Sequence, residues 1–451
     1  MEILEFKDKV FKRAVEEGLK EFEVFYSRDE NLGITVYQGE IDKYSLSCTM
    51  GVGFRALINE RMGYSYTEKL DDESVEFLVK AAVDSAKNID SEEKEFINSI
   101  PEKYENIDTF NEYLEEVTTE EKIKLVMDLE REARASSGKV VNIGYCGLGC
   151  GAEERGIFNS HGIEASNRSN YIYAAVNPVV SDGNKKYNEF SYRMGNRFEN
   201  LNPSELAVEA VREAESRIGG ETVESGRYKV VLRNDVAAEL LKTFSGAFCA
   251  DNAQKGLSLL KGSEGSIIAS ERITLLDNPL MKDGMSSTPF DGEGTACCEK
   301  AVIHEGELKT LLHNLKTAAV DGVRTTGNAS RPSYSSPIGV SPTNFYFQSG
   351  KFSLVELLKE LGEGLLITDV AGTHSGANAI TGDFSLAAKG FVITDGKLGK
   401  PVEQITIAGN YYQMLKDVIE TGSDLKFILP SSSGYFGSPS LLVNELAVAG
   451  K

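Results

Sequence analysis

Residues 390–402 read GFVITDGKLGKPV, and residues 301–312 read AVIHEGELKTLL. In each, a β-branched apolar run meets an acidic residue followed by glycine, and a second run returns. Asp-Gly and Glu-Gly tolerate the positive φ that tight hairpin turns require. The chain around these two phrases, from Gly226 to the end, consists of short strands and Gly-rich turns, with helices expected only near 235–248, 354–361 and 411–420. A β-rich barrel- or sandwich-like domain over 226–451 follows.

The front half has a different rhythm. Ile3, Phe6, Val10, Ala14 and Leu19 recur at helical spacing and predict an amphipathic opening helix. From 22 to 67 the runs EVFYS, GITVYQ, KYSLSCTM, GVGFRALI and MGYSYT alternate with Gly, Asn and Asp, which predicts a meander of short strands closed by a helix over 72–88. Residues 91–111 carry no sustained period and read as a connector. Thr118 with Glu121 forms a capping box ahead of the apolar stripe Ile123, Val126, Leu129 and Ala133. Strands return at KVVNIGYCGLG, GIFNSHGIEASN and YIYAAVNPVVS, and Asn202-Pro203 opens another helix that ends near Gly219-Gly220. The fold class is therefore α+β, with mixed regions at 1–105 and 106–222 ahead of the β-rich 226–451.

Composition narrows the function. Of 451 residues, 41% are hydrophobic and 26% charged, as in a globular chain with room for more than one core. No apolar run reaches the roughly 18 residues of a membrane span, and the first twenty residues lack a signal-peptide core; a cytoplasmic protein is expected. The net charge of −21 is concentrated in residues 1–225, which carry 45 acidic against 27 basic side chains. Phosphate-binding surfaces need a basic surplus, so neither nucleic acid nor an anionic membrane is an expected partner. Six cysteines, with one C-x3-C and one vicinal pair and no neighbouring histidine, read as reduced thiols.

Four histidines allow each metal or acid-base reading to be checked singly. His304-Glu305 begins like a zincin signature, but Gly306, Glu307, Leu308 and Lys309 follow where the second histidine would be needed. His161 and His313 have no second ligand nearby. His374 lies in VAGTHSGANAITGDFS, where Thr373, His374, Ser375, Asn378, Thr381, Asp383 and Ser385 cluster among glycines, as in loops that meet a ligand or another chain. The S-x-x-K matches at Ser91 and Ser258 read as coincidences, and Gly147, Gly149 and Gly151 read as a glycine-rich strand rather than a dinucleotide site. Composition and spacing by themselves identify no catalytic residues.

Four C-terminal phrases carry a resemblance: FDGEGT at 290–295, SGANAITGDFS at 375–385, PVEQITIAGN at 401–410 and GSDL at 422–425. They resemble the TldD/PmbA proteins, formerly described as modulators of DNA gyrase, and the second phrase is similar to the PmbA (TldE) branch. The resemblance implies a cytosolic two-subunit metalloprotease that degrades unfolded peptides, with zinc held in the TldD-type subunit by HExxxH and a distant cysteine. At the matching helix this chain has Lys242, Thr243 and Ala247, and near the expected cysteine it has Ser431-Ser-Ser-Gly-Tyr435. A cation repels zinc, a methyl group donates nothing, and a hydroxyl does not replace the glutamate base.

The expected function is thus a noncatalytic PmbA/TldE-like subunit, with no cofactor in this chain and zinc in its TldD-type partner. Its other associations are unfolded peptide and, as an open alternative, a second copy of itself. His374, Ser375, Asn378, Thr381, Asp383 and Ser385 are the expected peptide- or partner-contacting residues. Two other readings stay open: a regulatory binding protein of DNA gyrase, and a stand-alone hydrolase built on Ser375 and His374.

Overall fold

The computed structural model describes residues 1–89 and 93–451. The serine of the S-x-x-K match at 91 and the start of the connector lie outside the described residues; 93–111 contain no helix or strand. Among the described residues no helix is long and apolar enough to cross a membrane.

The runs that read as short strands join into long ones. β1 (Glu21–Tyr37), β2 (Glu40–Ile58) and β3 (Arg61–Thr67) form the expected meander, and β4 (Val140–Asn159) and β5 (Glu164–Ser181) follow the same habit. Polar and glycine residues that look like breaks sit inside the ladder, as with Asn31↔Gly151 and Gly33↔Gly149 between β1 and β4. Gly149 is where it is because a Cβ there would stand 2.4 Å from the Tyr173 ring. The sheet runs β3-β2-β1-β4-β5-β6, with β6 at Lys186–Asn188 and β7 (Ser191–Gly195) also pairing with β5. The β1–β4 pairing joins the two front regions into one sheet.

One face of that sheet is covered by helices. α1 (Ile3–Glu16) and α2 (Asp72–Asn88) pack over Phe22, Val24 and Phe54, while α3 (Thr119–Ala135) and α4 (Pro203–Glu215) pack over Ile34, Leu148 and Ile172. The local signals hold: Thr118 and Glu121 form a reciprocal capping box on α3, and Asn202 caps α4 ahead of Pro203. The opposite face buries Glu23, Phe25, Ser27 and Arg55 against the C-terminal region.

That region is a closed barrel with a smaller sheet beside it. β8 (Gly226–Leu232), β9 (Gly364–Ala371), β10 (Asp383–Thr394), β11 (Lys397–Asn410) and β12 (Leu441–Ala449) run in the order β11-β10-β9-β8-β12, and β11 pairs back to β12. Between the two hairpin readings, 390–402 becomes the β10–β11 turn at Asp395-Gly396, and 301–312 becomes a short hairpin in the second sheet. α5 (Asn234–Phe244) plugs the space between barrel and second sheet, with Phe244 stacked 4.4 Å from Tyr411. The helix expected over 235–248 ends at Phe244 and tightens into a 3-10 turn through Phe248. The one expected over 411–420 stops at Lys416, because Val418–Thr421 is β-branched and pairs with β12.

Candidate functional site

α5 presents two faces with different tasks. Val236, Ala237, Leu240, Leu241 and Phe244 are buried in the core, while Asp235, Glu239 and Lys242, spaced i, i+4 and i+7, line a cleft of about 460 Å³. The far wall comes from Glu189 and Tyr192 beside the front sheet and from Glu209 and Glu213 on α4; Thr368 and Asp369 of β9 complete it. The cleft therefore lies where the front sheet meets the barrel.

Two arginines brace this junction. Arg233 donates to Asp235 at 2.9 Å, to Glu213 at 3.0 Å and to the Thr368 carbonyl at 2.9 Å. Arg217 is fully buried, donating to Glu189 at 3.1 Å and to the Thr368 hydroxyl at 2.6 Å. Three separate chain segments are fastened to one strand position by these forks. Burial pushes the Glu189 carboxyl above its ordinary range, with Arg217 pulling the other way. The described lining holds six carboxylates against Arg233, Lys242 and Lys426, so the cleft is electronegative.

Lys242, Thr243 and Ala247, the positions at which the resemblance leads one to expect the metal ligands, contain no zinc-binding set. Lys242 Nζ sits 3.3 Å from Glu239. The Thr243 hydroxyl donates to the Glu239 carbonyl at 2.7 Å, and Ala247 is buried in the core. In the serine-rich segment, Ser431 and Ser433 bond each other at 2.9 Å, and Tyr435 stacks 4.5 Å from Phe427. An ammonium, a hydroxyl committed to its own helix and a methyl group do not fit the metal. Among the described residues no three His, Cys, Asp or Glu side chains converge as metal ligands.

The loop carrying His374 is organised by its own polar groups. Asn378 accepts from the Ile380 and Thr381 N–H groups at 3.0 and 3.1 Å. Asp383 accepts from the Thr381 hydroxyl at 2.8 Å and from Asn410 at 2.9 Å, and these bonds hold its carboxyl below the ordinary range. The Ser375 hydroxyl lies 3.4 Å from the Gly372 carbonyl, on the same one-turn helix as His374. All six expected contact residues are exposed, and none lines the α5 cleft. Gly376 lets this turn lie against β10, since a Cβ there would come 2.3 Å from the Ser385 carbonyl.

Reading the sequence did not single out Arg233, Asp235 or Glu239. The available signal was Arg-x-Asp directly after an apolar strand, followed by charges on one helical stripe; its meaning depends on Glu213 and Thr368, which are distant in the chain.

Comparison with known proteins places this architecture. Residues 225–450 match the PmbA/TldA metallopeptidase C-terminal domain, 112–218 the central domain and 22–86 domain 1. The chain is 25% identical to Metalloprotease PmbA of Escherichia coli O157:H7, over 95% of this chain and 92% of that protein. A candidate modulator of a DNA gyrase from Thermotoga maritima is 31% identical, with a TM-score of 0.92 over 99% of this chain and 100% of its own. TldE from Thermococcus kodakarensis shares the fold at 22% identity, with a TM-score of 0.90 over 99% and 100% of the two chains. With all three domains matched in order, the chain belongs to the PmbA/TldD metallopeptidase family.

Proposed function

We propose that this chain is the noncatalytic, PmbA/TldE-type subunit of a two-chain metalloprotease acting on unfolded peptides in the cytoplasm, with zinc and the catalytic base supplied by a TldD-type partner. The observation that carries this reading is α5. Its cleft-facing stripe is Asp235, Glu239 and Lys242, and the positions matched to the metal ligands hold an amine, a committed hydroxyl and a buried methyl group. The exposed 374–385 loop supports a contact role, since its polar residues are held in one conformation without being covered.

The test is reconstitution. The purified chain alone should carry no stoichiometric zinc after dialysis and leave an unstructured peptide uncleaved; adding a TldD-type chain from the same source should yield a stable complex and cleavage. Metal-dependent cleavage by this chain alone would overturn the reading. The name of the Thermotoga relative favours a second reading, regulation of a DNA gyrase. Copurification from native extract separates the two, because recovery of gyrase without a TldD-type chain supports only the second.

A further inference from the structure

A second cavity, of about 710 Å³, shares no lining residue with the α5 cleft. It lies between β2, β3 and α2 of the front half and the C-terminal segments around Glu293, Asn314 and 331–338. Its base is a buried charge cluster. Glu23 is fully buried and accepts from Arg55 Nε at 2.7 Å, Arg55 Nη2 at 3.1 Å and Arg331 Nη1 at 3.2 Å. One carboxylate thus serves two guanidinium groups.

Both arginines have donor capacity left. Arg55 Nη1 approaches Glu293 only at 4.0 Å, beyond hydrogen-bond reach, and Arg331 Nε is buried with no partner. The Arg331 guanidinium lies 4.4 Å over the Phe25 ring, and Gly53 leaves the space it needs, since a Cβ there would be 2.6 Å from Nη2. The remaining carboxylates are poor substitutes. Asp291 accepts three backbone N–H groups at 2.9 to 3.0 Å. Glu293 accepts from the Leu315 N–H at 2.8 Å, and burial pushes its carboxyl up to about 8 despite Arg55, so it is largely uncharged near neutrality. Nearer the opening, Lys316 pairs with Glu93, while Glu95 accepts from the neutral Tyr64 hydroxyl and keeps its negative charge at the cavity wall, away from the arginine base.

We propose that this cavity binds a small monocarboxylate with an apolar or aromatic body, its carboxylate seated against Arg55 and Arg331 and its body against Phe77, Phe96, Tyr66 and Ile338. The volume is that of an ordinary small-molecule site. A planar guanidinium pair suits a carboxylate, and the water-poor base strengthens the contact. A dianion such as phosphate would instead press its second charge toward Glu23, the carboxylate the two arginines already share.

Titration calorimetry on the full chain tests this with N-acetyl-phenylalanine, its amide, and a decapeptide ending in phenylalanine as free acid and as amide. The expected result is saturable binding of at least one acid, at least about tenfold tighter than its own amide, as expected for loss of a charge-assisted bond. The small acid and the decapeptide distinguish a free ligand from a chain terminus. Ala81→Trp, which narrows the cavity without touching the arginines, should weaken binding at least tenfold in a folded protein; Ile338→Trp replaces it if that variant does not fold. Equal binding of acid and amide, no saturable binding by any probe, or unchanged affinity in the folded narrowing variant would overturn the proposal.

Discussion

At the α5 cleft, Lys242 and Glu239 stand 3.3 Å apart with about a third of each side chain in solvent (33% and 29%). At the base of the second cavity, Arg55 and Glu23 stand 2.7 Å apart with 1% and 0% exposed. The pairs have the same charges and nearly the same separation, yet their consequences differ. Water screens the first pair and hydrates either partner if the other is lost. The second pair has no such recourse, because removing one member strands a charge in a medium that cannot solvate it. A position whose charge is solvated, such as Lys242, can change its residue with little cost. The buried cluster has no equivalent freedom.

The largest effect should come from breaking the buried side of this contrast. Glu23→Gln leaves Arg55 and Arg331 without their shared carboxylate and should lower unfolding free energy by about 3–5 kcal/mol in urea titrations. A loss below about 1 kcal/mol would mean that water reaches the cluster and that the contrast with the α5 cleft is false.

Next comes a position where geometry rather than charge is decisive. Gly376→Val places a Cβ 2.3 Å from the Ser385 carbonyl, and Gly382→Val combines a φ of +83° with a Cβ 2.5 Å from Tyr412. Overpacking of this kind should cost about 1–3 kcal/mol in each variant. Both changes therefore disturb the start of β10 before they report on any contact with peptide or partner. His374→Ala and Asn378→Ala are the better probes of contact, and His374→Ala should leave thermal stability almost unchanged because the side chain is exposed.

A third effect is a slope. Glu293 has a folded pKa of about 8, above its ordinary 4.5, so the native state holds this proton more tightly than the unfolded chain does. Its contribution is complete below about pH 4.5 and is lost as pH rises through about 8, so stability from this group falls across that window. Urea midpoints at pH 5.5, 7 and 8.5 should decline less steeply in Glu293→Gln than in the natural chain; an identical slope would show that Glu293 is ionised throughout.

The smallest change belongs to the solvated pair. Lys242→Ala should alter stability by no more than about 0.5 kcal/mol and should not create zinc binding, because Thr243 and Ala247 still supply no ligand. Metal analysis after dialysis together with a urea titration checks both. A variant that gained a full equivalent of zinc would show that Lys242 alone had been keeping the metal out.

Local chemistry makes several elements legible in the sequence. The capping box at Thr118 and Glu121, Pro203 after the Asn202 cap and the Asp395-Gly396 turn act within four residues of themselves, so their outcome does not depend on distant chain. The helix over 72–88 is readable for the same reason. The full lengths of the strands are not, because Asn31 and Gly33 look like breaks until β4 lies alongside and gives their backbone groups a ladder to join.

The family and the α+β class were determined by the sequence itself, since each depends on residue identity or short-range period. Barrel closure, the Arg233 clamp and the carboxylate shared by Arg55 and Arg331 were decided only by the tertiary structure. β11 meets β12 across an intervening helix and three short strands, Arg233 reaches Thr368, and Glu23 meets Arg331 across most of the chain. Charge in water is indifferent to such distances, whereas a buried charge acquires its meaning from whichever remote segment the fold brings within about 3 Å.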